Sequence, residues 1–449
     1  MIQSPRTLLV ALAGSAALLL TGSAALLLTG CGLQQTASTL TPGVALHGVL
    51  HGGRQPIAGA TIQFYAAGST GYGSAYPYSS GSSLLGTNTV TTNSNGYFTI
   101  TNDYTCPSPT TPVYIVAYGG NPGLPGNATN DDIVLMAALG PCGNLSSATS
   151  INIDEVTTIA SVWALSPFMT GVANIGAPAT NLNGLANAFA TVNKLASIGG
   201  GSAPGPALPS GATAPIAKIN TLANILASCV NSSGGHAGDS GACGTLFTDT
   251  TVNSVAPADT VSAALNLAQH PNLQTSSLIN LSTPESPFQP TLTAAPNDFS
   301  LVITYTGSGL SAPKGLAADA AGNIWIANSS ASSVTELDNA GAPLSGTNGF
   351  TVGALSGPGA IAIDTAGNAW VTVAPSSTVY RISSNGVTNA AFTGGGLSSP
   401  TALAIDAASN VWVANAGSSS LTEIQAGGAV TSFTNPGASS STAIAIDPQ

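Results

Sequence analysis

The 449-residue chain carries only 5% charged residues, 6 Lys+Arg against 17 Asp+Glu, for a formal net charge of −11. Soluble domains average roughly 25% charged residues, so hydroxyl, amide and small side chains must supply most of this surface. The balance excludes a nucleic-acid partner, whose phosphates need clustered basic side chains, and a polybasic membrane patch.

Arg6 is the only charged side chain before Arg54, and residues 7–29 form an uncharged stretch rich in Leu and Ala. Within it the octapeptide SAALLLTG stands twice in tandem, at 15–22 and 23–30. A charged start, an apolar run and small residues at its end are the layout of an export signal. Leu28-Thr29-Gly30-Cys31 resembles the bacterial lipobox. That resemblance implies cleavage before Cys31 and lipidation of its thiol, making 1–30 a lipoprotein signal peptide and 31–43 a flexible Thr/Ser tether. It also implies an exported protein, membrane-anchored through its N-terminal lipid and facing outside the cytoplasm, periplasmic or at the cell surface. Two alternatives stay open: an uncleaved apolar span, or an ordinary cysteine after an ordinary signal.

Strand signals begin next. VALHGVLHGGRQPIAGATIQFYAAG reads as strand, Gly-Gly turn, strand, and GTNTVTTNSNGYFTITNDYTC and TPVYIVAYGG add β-branched and aromatic runs broken by turn residues. This spacing predicts a small β-sandwich over 44–147. QPIAGATIQFY (55–65) and TTNSNGYFTI (91–100) resemble the carboxypeptidase-regulatory, or prealbumin-like, module, with Asn93 where that family usually has Asp. The resemblance implies a spacer or adhesive module without catalysis. Cys106, Cys142, Cys229 and Cys243 are the cysteines left after Cys31, an even number in an exported chain. Two disulfides are expected; three connectivities are open in principle, and pairing of sequence neighbours is the most natural. No CxxC or Cys/His cluster supports a metal site instead.

Over 148–281 the apolar spacing turns helical, with Asp154, Asn181 and Asp259 as candidate N-caps and a Gly/Pro-rich interruption at 199–215. The expectation is a small helical domain, or helices packed onto the sandwich. The Pro-rich run 282–298 reads as a semi-rigid linker.

The remainder, 299–449, is repetitive. PKGLAADAAGNIWIANSSASSVTEL, from Pro313, returns from Pro358 and from Pro400, and begins again at Ser441, after 45, 42 and 41 residues. Four short strands per unit of that length predict β-propeller blades. The repeat resembles the NHL repeat and the related streptogramin B lyases through Asp319, Asn323 and Trp325, through Asp364, Asn368 and Trp370, and through Asp406, Asn410 and Trp412. SLVITYTGSGL, just before Pro313, is expected to be an outer strand closing the last blade or the tail of an atypical one. The predicted fold class is therefore multidomain and mainly β: a small β-sandwich, a helical middle region and an incomplete propeller of about three blades plus the start of a fourth. Further blades are expected beyond Gln449.

Lyase resemblance implies histidine acid–base chemistry with a divalent metal, but the histidines are His47, His51, His236 and His270, none of them in the repeats. No catalytic residue carries over. No nucleophile elbow, P-loop, Rossmann fingerprint or HExxH occurs, so no cofactor is expected. The repeat aspartates are read as turn caps, with a ring of metal ligands as the alternative. The tryptophans are read as packing between blades, with ligand stacking as the alternative. His47 and His51 share a strand face and are a weak metal pair; Asp154-Glu155 is read as complementing a helix dipole. The function expected is a membrane-anchored binding scaffold, presenting loops 328–333, 373–377 and 415–419 to a protein, peptide or glycan. Its rivals are a lyase-like enzyme with its catalytic blades beyond residue 449, and a structural or adhesive envelope protein.

Overall fold

In the computed structural model of the chain, the described residues are 41–76, 83–101, 104–351, 353, 355–434 and 440–447. The signal segment 1–30, Cys31 and most of the tether 31–43 lie outside them.

LHGVLHG alternates, and the alternation sets the first long strand. In β1 (Leu46–Gly52) Leu46 and Leu50 are fully buried while His47 is exposed. Gly53, at φ +61°, makes the turn that follows. Then come β2 (Thr61–Ala66), β3 (Val90–Thr91), β4 (Tyr97–Ile100), β5 (Pro112–Tyr118), β6 (Val134–Pro141) and β7 (Ser150–Ile153). One sheet runs β3-β2-β5-β6; in the other, β1 pairs with β4 antiparallel and with β7 parallel. Disulfides join Cys106 to Cys142 and Cys229 to Cys243.

Five helices of eight or more residues follow among the described residues: α1 (Glu155–Leu165), α2 (Leu182–Leu195), α3 (Ile216–Val230), α4 (Ala242–Asp249) and α5 (Thr260–Gln269). They share one continuous core with both sheets, running from Leu46 to Phe299. Their hydroxyls also finish the sheet. β6 is an edge strand, and the backbone N–H groups of Val134, Met136 and Ala138 donate to Thr260, Thr158 and Ser161 at 3.0, 2.9 and 3.0 Å. An edge that would otherwise invite pairing with another chain is thereby covered. Asp154 and Asp259 cap α1 and α5, accepting from Thr157 N and Ser262 N at 2.8 Å. Asn181 does not cap α2; its side-chain amide turns away to Tyr72 Oη, 3.0 Å.

The Pro-rich run 282–298 is bound along α3. Asn224 exchanges two hydrogen bonds with the Phe288 backbone, Asn220 donates to Pro290 O, and Thr221 accepts from Leu292 N. Beyond it Trp163 donates to Phe299 O, and Lys218 reaches Ser300 O and Asp298. Thr304–Tyr305 pairs with Ala212–Thr213, in the connection between α2 and α3. Of the two expectations for this segment, an outer strand closing the last blade or the tail of an atypical one, the first does not hold, because its two-residue ladder pairs with the helical body.

Three sheets of one design follow: β8 (Pro313–Ala318), β9 (Ile324–Asn328) and β10 (Ser333–Leu337); β11 (Pro358–Ile363), β12 (Ala369–Val373), β13 (Thr378–Ile382) and β14 (Thr388–Phe392); β15 (Pro400–Ile405), β16 (Val411–Asn415), β17 (Ser420–Ile424) and β18 (Val430–Thr434). The first has three strands, with a bridge from Val334 to Phe350 where a fourth would lie. The leading strands stand side by side, β8 against β11 and β11 against β15. They approach so closely that a Cβ on Gly315 would lie 2.5 Å from Gly359 O. Residues 441–447 form no strand, and Thr401 Oγ1 donates to Ser441 O at 2.8 Å.

Candidate functional site

Each repeat builds two ends. At one end the turn after the leading strand is closed by its aspartate. Asp319 Oδ1 accepts from Asn323 N at 2.9 Å, and Asp364 and Asp406 accept from Asn368 N and Asn410 N at 2.8 Å. The other carboxylate oxygen accepts the asparagine amide, at 2.9, 2.9 and 3.0 Å. It also accepts the indole N–H of Trp325, Trp370 and Trp412, at 3.4, 2.9 and 3.0 Å. Each carboxylate is thus engaged by its own unit. Burial works to raise the Asp364 carboxyl, but the Asn368 and Trp370 hydrogen bonds outweigh it and hold the group below the usual carboxylate range. Asp406 is held low chiefly by Trp412.

Each tryptophan packs on a phenylalanine of its own unit, Trp370 stacked on Phe392 and Trp325 and Trp412 tilted against Phe350 and Phe433, with ring centroids 5.2, 5.8 and 5.4 Å apart. Trp325 also packs among Val371, Val373 and Ile382 of the second sheet, and Trp370 among Val411, Val413 and Ile424 of the third. The guanidinium of Arg381 lies 5.5 Å from the Trp370 ring centre.

At the other end lie the loops singled out from sequence. Their first residues are not available to a ligand. Asn328 and Asn415 are fully buried, donating to Thr335 and Thr422 at 2.9 and 3.0 Å. Their side-chain carbonyls accept from Ser311 N and Ser398 N. Both asparagines hold the lead-in of their own unit, and the second unit replaces the Asn–Thr pair with Val373 and Tyr380. What remains exposed is short and uncharged: Ser330 and Ala331, Pro375 and Ser376, Gly417 and Ser419. The second and third units meet here, Ser377 Oγ accepting from Ser399 N at 3.1 Å.

The other candidates lie in the helical body and its sheets. His47 Nδ1 pairs with Thr99 Oγ1 at 3.1 Å, and no cluster of three or more His, Cys, Asp or Glu occurs among the described residues. Asp154-Glu155 stands not at an exposed helix end but inside the core, both side chains buried. Glu155 accepts the Gly53 N–H at 3.0 and 2.9 Å. Burial pushes its carboxyl up to about 8 and that of Asp154 up to about 6. Sequence reasoning missed this long-range contact because Gly53 and Glu155 are remote in the chain.

No family model matches the chain, and no curated protein matches it. Part of it is similar to solved structures. A streptogramin B lyase matches at 16% identity and a TM-score of 0.26, over 29% of this chain and 42% of that one. A virginiamycin B lyase from Staphylococcus aureus matches at 14% and 0.28, over 30% and 45%. A Bacteroides caccae protein of unknown function matches at 14% and 0.23, over 30% and 49%. The chain thus spans less than half the length of each, at low identity.

Proposed function

We propose that this chain is an exported lipoprotein, anchored through Cys31, whose repeats form a propeller-type scaffold that binds a neutral partner, a peptide, protein or glycan, at the exposed loops 329–332, 374–377 and 416–419. One observation carries the reading: equivalent loops, hydroxyl-rich and without a charged residue, stand at the same end of three sheets arrayed side by side. Such a surface offers hydrogen bonds without a large charge-desolvation cost, which suits an uncharged ligand. The two-sheet and helical body serves as the spacer from the lipid.

Two measurements test it. Labelling cells with a tagged fatty acid gives a lipidated wild-type chain and an unlabelled Cys31→Ser variant. An array of neutral glycans and peptides gives hits that are lost in the triple variant Ser330→Arg, Ser376→Arg, Ser419→Arg. Hits that survive the triple variant unchanged remove the loops as the site.

A further inference from the structure

The joint between neighbouring sheets occurs twice in this molecule with its tryptophan in place, and a third time without one. In the filled joints, Trp325 shares a core with Leu355, Ile361, Val371 and Ile382, and Trp370 with Leu397, Val413 and Ile424. The matching positions of the first sheet are Leu310, Leu316, Ile324, Ile326 and Leu337 by repeat spacing. They line a cleft of about 440 Å³. Exposure marks the difference: Leu316 is 65% exposed, its counterpart Ile361 8%.

The aromatic partner of the missing ring is already there. Phe350 and Phe392 each stand five residues before the leucine of their joint, as Tyr305 stands before Leu310. The turn glycine beneath them corresponds as well. A Cβ on Gly386 would collide with the Phe350 ring, and one on Gly341 with the Tyr305 ring. Tyr305 therefore fills the phenylalanine position, and the cleft beside it, lined also by Asn187 of α2, stands where the other joints hold the indole. The Trp412 and Phe433 face of a second copy does not suit this cleft, because its phenylalanine needs the place Tyr305 holds.

We propose that the cleft is a socket for one tryptophan side chain, presented by an extended peptide strand of a partner and stacked on Tyr305. The interface it makes continues the two already formed between sheets of this chain. It is separate from the loop site, and each stands or falls alone.

The test uses the full chain and a fluorophore-labelled peptide, DAASNVWVAN, which copies residues 406–415. Fluorescence anisotropy should register binding of this peptide and at least tenfold weaker binding of the version with Ala for Trp. Ile324→Trp fills the socket from within and should abolish binding without lowering Tm. Leu316→Glu, at a position 65% exposed, should weaken binding at least tenfold without lowering Tm. Equal binding of the two peptides, no binding of either, or unchanged binding by both variants overturns the proposal. N-acetyltryptophanamide binding as tightly as the peptide also overturns it, since the ligand is then a free aromatic molecule.

Discussion

The body from β1 to Phe299 and the repeat array after it solve the same problem by opposite means. In the body, distant segments complete one another: helix hydroxyls satisfy an edge strand, a carboxylate from α1 reaches the β1 turn, and one core joins every layer. In the array, each sheet closes its own turn with its own aspartate and meets the next through its leading strand and one tryptophan. The first arrangement should unfold cooperatively over its whole length, the second as a stack of neighbours. Damage should spread in the body and stay local in the array.

Removing a disulfide is the strongest way to break that contrast. In the chain-entropy model, loss of Cys106–Cys142, whose partners lie 36 residues apart, costs about 4 kcal/mol, and loss of Cys229–Cys243, 14 apart, about 3. Cys106→Ser with Cys142→Ser should lower amide protection across β1 to β7 and α1 to α5. Protection in β11 to β18 should hold. Equal loss in both regions shows a single cooperative unit instead.

Glu155 sharpens the body's side of the comparison. Its carboxyl, raised in the fold to about 8 from an ordinary 4.5, favours the neutral form. The stability it contributes is full below about pH 4.5 and is lost as pH rises through about 8, an effect of order a few kcal/mol. Asp154, raised to about 6, acts in the same direction. Denaturant titrations of the wild type should show this decline, and Glu155→Gln, which cannot ionise, should flatten it above pH 6.

The sheet edge comes next. Thr158→Val deprives Met136 N of its partner, and an unpaired buried N–H costs about 1–3 kcal/mol. Thr158→Ser, which keeps the hydroxyl, should retain most of the stability in the same denaturant assay.

The smallest effect belongs to the array. Asp364→Ala removes the acceptor for Asn368 and Trp370 at a half-exposed turn, for about 1 kcal/mol. Hydrogen exchange should quicken in β11 and β12 and stay unchanged in β1 to β7. Since this carboxyl is held below its ordinary value, its contribution is present above about pH 4 and fades as the carboxylate protonates at lower pH; Asp364→Ala should lack that acid limb.

How far the chain can be read without its fold follows the reach of each interaction. An aspartate, an asparagine and a tryptophan spaced over six residues close a turn by themselves, so the repeat and its sheets were legible from spacing alone. Asp154 and Asp259 cap helices three residues ahead and were legible for the same reason. Asn328 and Asn415 were misplaced as loop residues, because nothing local signals that their amides turn inward to Thr335 and Thr422. Tyr305 had a signal, its five-residue spacing to Leu310, but only the ring lying on Gly341 gives that spacing a meaning. Periodicity and turn chemistry thus determined the sheets, the helices and the repeat. The tertiary structure alone decided that Glu155 is buried beneath Gly53, that the Pro-rich run lies along α3, and that one joint lacks its indole. Those facts depend on which distant surfaces meet, and burial and desolvation exist only once they have met.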